Sequence, residues 1–143
     1  MKRVGRLWER VTSFANLWLA ARKARRGKGA SPAAAAFQFD LERELIRVQA
    51  ELRDGSYRPG PYREFWITDP KRRKISAAPY PDRVVHHAVA AVIAPILDRK
   101  LVDTSYACRP RKGTHRALLA ASRHAAACRY VLKLDVRKYF PSV

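Results

Sequence analysis

The residues best suited to chemistry lie near the end of the sequence. In Tyr130-Val131-Leu132-Lys133-Leu134-Asp135, alternation places Tyr130, Leu132 and Leu134 on one face of a strand and Val131, Lys133 and Asp135 on the other. A strand of that kind would present a carboxylate from a rigid element. Two-metal phosphoryl transfer needs such oxygens, because hard divalent cations take oxygen ligands and the ions must sit about 3.5–4 Å apart. One Asp cannot hold two ions, so a second carboxylate is required. On spacing alone the plainer reading, an ordinary Asp at a strand end, is favoured.

Two basic clusters form the second group. Lys71, Arg72, Arg73 and Lys74 follow Asp69-Pro70 between two short runs, and Arg109, Arg111 and Lys112 precede Gly113. A basic hairpin tip can clamp a triphosphate and offset charge in a transition state; it can equally be a solvated turn. A glycine beside clustered cations lets the backbone come close to a phosphate chain. Tyr106 would stack on a base or pack in a core. Cys108, His115, His124 and Cys128 fit no common zinc spacing, because structural sites usually start from a close Cys pair. Two cysteines make no disulfide framework, and His86-His87 has no acidic or nucleophilic neighbour in sequence.

The elements that must position these groups can be read from periodicity. Leu7, Val11, Phe14 and Trp18, with Leu17 and Ala21 beside them, predict one helix over 7–24. A basic stretch, Arg22 to Lys28, leads into a linker ending near Ala36. Leu41, Leu45, Val48 and Leu52 predict a second helix with Asp40, Glu42 and Glu44 at its positive end, stopped by Asp54-Gly55. Glu64–Thr68 and Arg73–Ala77 predict an antiparallel hairpin. Asp82 would cap a helix over 83–101, apolar almost all round and therefore buried, with Pro95 kinking or breaking it. Residues 105–113 read as a loop, and Thr114 as the cap of a helix to Ala127. The fold class expected is α+β.

Composition narrows the partner. Of 143 residues, 30 are Lys or Arg and 12 are Asp or Glu, giving a net charge of +18. A soluble enzyme for a neutral metabolite has no use for that field; a polyanion does, since each neutralised phosphate releases counterions. No apolar run of about 18 residues occurs, so no membrane span is expected. The basic, amphipathic start lacks the uninterrupted apolar core and cleavage site of a targeting peptide. The expected location is cytoplasmic.

Three blocks, in order, carry a resemblance. LKLDVRKYFPSV resembles the first catalytic motif of reverse transcriptases. FWITDPKRRKISAAPYPDRVVHHAV is similar to their fingers block, and SYACRPRKGTHRAL to the motif that follows it. The wording is closest to the enzymes of diversity-generating retroelements and related unclassified bacterial reverse transcriptases, with group II intron enzymes as near neighbours. The resemblance covers about residues 37–143 and is weaker over 1–36. It implies the fingers and the beginning of the palm of a right-hand polymerase over 37–143, preceded by a basic N-terminal helix and linker over 1–36.

The resemblance also implies roles. Asp135 would be the catalytic metal ligand, and the carbonyl of Val136 a second ligand to the same ion. Phe140 would be the steric gate under the sugar of the incoming nucleotide; its plain alternative is a core aromatic. Lys71 and Arg73 would contact the nucleotide triphosphate, with Arg72 and Lys74 weaker candidates. Arg109, Arg111 and Lys112 would reach template and primer phosphates, and Arg83 would serve structure or template position. The implied cofactor is Mg²⁺, two ions in the complete enzyme, one activating the primer 3′-hydroxyl and the other stabilising pyrophosphate. Implied partners are template RNA, a primer strand, deoxynucleotides and a basic accessory protein of a retroelement. The aromatic-x-Asp-Asp motif of such palms does not occur in the 143 residues, so the expectation is a fragment that is inactive alone. The alternative is a non-catalytic RNA-binding relic of a reverse transcriptase.

Overall fold

Between Leu7 and Arg25 local hydrogen bonding divides the chain. Thr12 Oγ1 donates to the Trp8 carbonyl at 3.0 Å, and the Ser13 hydroxyl accepts from the Asn16 amide at 3.3 Å. That pair ends one helix and caps the next. The single helix expected over 7–24 is therefore two, α1 (Leu7–Val11) and α2 (Phe14–Arg25). The chain is described here from a computed structural model, which describes residues 3–28, 31–137 and 139.

The break also changes which face of α2 is buried. Leu17, Ala20, Ala21 and Ala24 are buried, whereas Phe14 and Trp18 are exposed. Small side chains let another helix approach closely, and α2 packs on α5 (Tyr80–Asp98). The stretch expected to be a linker holds α3 (Pro32–Phe39). Its sequence, PAAAAFQF, explains the difference. Proline at the first helical position is preorganised for the helix, and the alanines that follow are the best helix formers.

α4 (Leu41–Asp54) has the expected stripe: Leu45, Val48 and Leu52 are buried and Leu41 packs against them. Gly55, with φ 77°, ends it in the left-handed conformation that glycine adopts at no steric cost. These residues form one core with Ala34, Phe37, Tyr80, Val84, Val85 and Ala88. Phe37 and Tyr80 meet edge to face at 5.3 Å, a favoured aromatic geometry. Polar groups inside are paired: the Asn16 amide donates to the carbonyls of Val11 and Ala88 at 3.0 and 3.1 Å, and Gln49 donates to that of Thr12 at 2.7 Å.

β1 (Arg63–Ile67) and β2 (Arg73–Ala77) form the expected antiparallel hairpin. α5 departs from expectation in two ways. It starts at Tyr80, so Asp82 lies in the first turn and does not cap. It is buried along one stripe rather than all round, with Leu97 54% exposed. Of the two effects expected of Pro95, a kink or a break, the break does not occur, since the helix runs on to Asp98. That residue lies on the exposed side, where water can satisfy the carbonyl one turn back.

The chain divides into two compact units, Met1–Arg99 and Lys100–Val143. The elements so far belong to the first. The second holds a turn-rich loop and α6 (Thr114–Ala127), which has no buried residue. Its N-cap is Gly113, φ 96°, and Thr114 is the first helical residue, not the cap. The strand expected over 130–135 is not formed. Tyr130, Val131, Leu132 and Leu134 are each at least 75% exposed. A strand requires a partner for its backbone groups, and among the described residues the only sheet is the β1–β2 pair. The fold is α+β.

Candidate nucleotide and nucleic-acid interface

In the first unit the hairpin presents the cations. Its register pairs Ile67 with Arg73, Trp66 with Lys74, Phe65 with Ile75 and Glu64 with Ser76. Directly opposed residues share a face. Trp66, Lys74, Glu64 and Ser76 therefore lie on one side, and Ile67, Arg73, Phe65 and Ile75 on the other. Lys74 is ion-paired with Glu64 at 2.7 Å, and the Arg72 guanidinium lies 4.5 Å from the Trp66 ring centre. The hydrogen bond from Lys74 holds the Glu64 carboxyl below its usual range. Lys71 and Arg73 are exposed, and their side chains have no ion-pair or hydrogen-bond partner among the described residues. The two cations the sequence singled out are thus the uncommitted ones, while Arg72 and Lys74 are engaged.

A buried carboxylate secures the approach to this hairpin. Asp82 is 4% exposed. Its Oδ2 accepts from the Gly60 amide at 2.9 Å, and its Oδ1 from the Tyr57 hydroxyl. Burial, and then the bond to Asp82, raise the Tyr57 pKa well above that of an ordinary phenol. Gly60 is close against α5: an added Cβ would lie 2.9 Å from Pro79 Cγ. Residues 57–60 lead directly into β1, so Asp82 fixes where the hairpin leaves the helical body. Sequence reading missed this role. The available signal was the Tyr57…Gly60…Asp82 trio, whose meaning depends on a contact 22 to 25 residues long. Arg83 follows, with its Nε donating to the Ala78 carbonyl at 3.0 Å. It lines an open cavity of about 360 Å³ with Arg63, Pro32 and Tyr80. His86 and His87 are exposed on α5.

In the second unit the three candidate cations differ sharply. Arg109 donates to the carbonyls of Val102 and Ser105 at 2.8 and 3.0 Å. Lys112 pairs with the Asp103 carboxylate at 2.6 Å and lies 5.1 Å from the Tyr106 ring centre; its side chain is only 18% exposed. That bond holds the Asp103 carboxyl below its usual range. Both side chains brace the loop from within. Arg111 is exposed, sits at φ 60°, and has no hydrogen-bond or ion-pair partner among the described residues. Tyr106 is half-buried under Lys112 and packs inside this loop.

Asp135 and Val136 lie exposed on the irregular segment after α6. Phe140 lies outside the described residues. One carboxylate and one carbonyl fall short of the six or more oxygens a divalent ion takes. Among the described residues no three His, Cys, Asp or Glu converge on a possible ion, and Cys108 and Cys128 are separate, exposed thiols. The described residues therefore do not by themselves make a two-ion site. No helix among them is long and apolar enough to cross a membrane.

Comparison with known proteins gives a distant relationship. No family model matches the chain. It is 25% identical over 105 residues to the group II intron-encoded protein LtrA of Lactococcus lactis subsp. cremoris, and equally to that of strain MG1363. The match covers 71% of this chain and 18% of the length of each relative. The similarity places the chain, loosely, beside group II intron-encoded proteins.

Proposed function

We propose that the chain is a portion of an RNA-directed DNA polymerase, comprising the nucleotide-clamping fingers and the first acidic motif of the palm. The observation that carries this reading is the similarity over 71% of the chain to a group II intron-encoded protein. It is supported by the basic hairpin, whose exposed Lys71 and Arg73 suit a triphosphate. In this reading Asp135 contributes one carboxylate, and Val136 its carbonyl, to an Mg²⁺ site whose remaining donors lie outside the described residues. Arg111 is the loop cation best placed to reach a template or primer phosphate.

The test is single-nucleotide extension of a DNA primer on an RNA template, in the full-length protein that carries this segment. Asp135→Asn should lower incorporation at least about a hundredfold, the scale of losing one electrostatic stabiliser. Lys71→Ala with Arg73→Ala should raise the nucleotide KM and leave duplex affinity nearly unchanged. Phe140→Ala should admit ribonucleotides. Full incorporation by Asp135→Asn would remove the catalytic assignment. RNA binding without incorporation by the unaltered protein would favour a non-catalytic RNA-binding function.

A further inference from the structure

We propose that the Trp66–Arg72 side of the hairpin is a stacking platform for an unpaired base of single-stranded nucleic acid. This inference shares with the proposed function only the class of partner. It assigns a second role to the hairpin, on the face opposite Arg73.

Trp66 is 56% exposed, and the Arg72 guanidinium lies over its ring at 4.5 Å. The cation holds the indole in place and leaves most of the residue's surface in water. A ring so held can take a flat partner with little further loss of side-chain freedom. Glu64, the only carboxylate on the two strands, is on this same face and would repel a polyanion, but Lys74 neutralises it at 2.7 Å. Residues 63–77 carry five cations (Arg63, Lys71, Arg72, Arg73, Lys74) against two carboxylates (Glu64, Asp69), so the field around the indole is positive.

An exposed indole within a positive field fits one chemistry well: a π-face joined to a phosphate chain. A duplex keeps its base faces inside the stack and offers none to Trp66. A single strand offers both the face and the phosphate, so the platform should prefer unpaired strand. A protein ligand that used Trp66 as its anchor would be expected to find an apolar surround, whereas the same-face neighbours here are Lys74, Glu64 and Ser76.

The experiment measures binding of the 143-residue chain to a labelled single strand of roughly 12 nucleotides, within the span that such platforms occupy. The same strand with abasic positions, and a duplex of the same sequence, serve as the other probes. Trp66→Ala should weaken the intact strand by about 5- to 100-fold, and Trp66→Phe by much less. On the abasic strand, which keeps every phosphate, the three proteins should bind alike. The duplex should be insensitive to Trp66. Equal affinity of Trp66→Ala and the unaltered chain for the intact strand would overturn the platform while leaving the polymerase reading intact. So would an equal loss on the abasic strand, or a loss in Trp66→Phe as large as in Trp66→Ala. No binding of any strand by the unaltered chain at low salt would overturn the platform and the nucleic-acid partner together. Absence of primer extension would bear only on the polymerase reading.

Discussion

Replacing Asp82 with alanine should destabilise the first unit by roughly 2–4 kcal/mol. Each hydrogen bond to a carboxylate contributes about 1.5–3 kcal/mol, and Asp82 accepts two, from the Gly60 amide and the Tyr57 hydroxyl. The full sum is reduced because Tyr57 is only half-buried and its hydroxyl can turn to water. The Gly60 amide has less freedom, since its backbone is close against Pro79. Asparagine is the informative second variant. Its amide oxygen can keep the Gly60 bond while its NH₂ donates to the Tyr57 oxygen, so Asp82→Asn should cost about 1 kcal/mol. Urea unfolding reads both, as a lower midpoint with unchanged slope, and amide exchange at Gly60 locates the effect. Refutation would be Asp82→Ala within about 0.5 kcal/mol of the unaltered chain, or an Asn variant as unstable as the Ala variant.

Other consequences are open to measurement. Because the folded state raises the Tyr57 pKa, the unfolded chain loses that proton first. Stability should be complete below pH 10, the unfolded value, and fall as pH rises above it. Tyr57→Phe should remove this part of the alkaline loss, and an unchanged pH profile would show that the phenol is not held as described. Arg111→Ala should reduce the salt slope of nucleic-acid binding by roughly 0.7–0.9. Lys112→Ala should change that slope little and loosen residues 102–113, as read by amide exchange; the reverse pattern would exchange their roles.

The local rules of the sequence determined much of this protein. The stripe Leu41, Leu45, Val48 and Leu52 specifies α4, and Gly55 specifies its end, because 3.6-residue periodicity and a left-handed stop are short-range properties. The two strands and their turn are legible for the same reason. Capping was also local, and Thr12-Ser13 carried the signal that splits α1 from α2, although the run of apolar residues across it suggested one helix. Other features were decided only in three dimensions. Asp82 is a buried acceptor instead of a cap because Tyr57 and Gly60 come to it from the other side of the hairpin. Lys112 and Arg109 look as free as Arg111 in sequence, yet the loop folds back and uses them as braces. The alternating segment 130–135 has the pattern of a strand and does not become one. Side-chain alternation is a property of the chain, whereas a strand's hydrogen bonds belong to a neighbour, and none of the described residues supplies it.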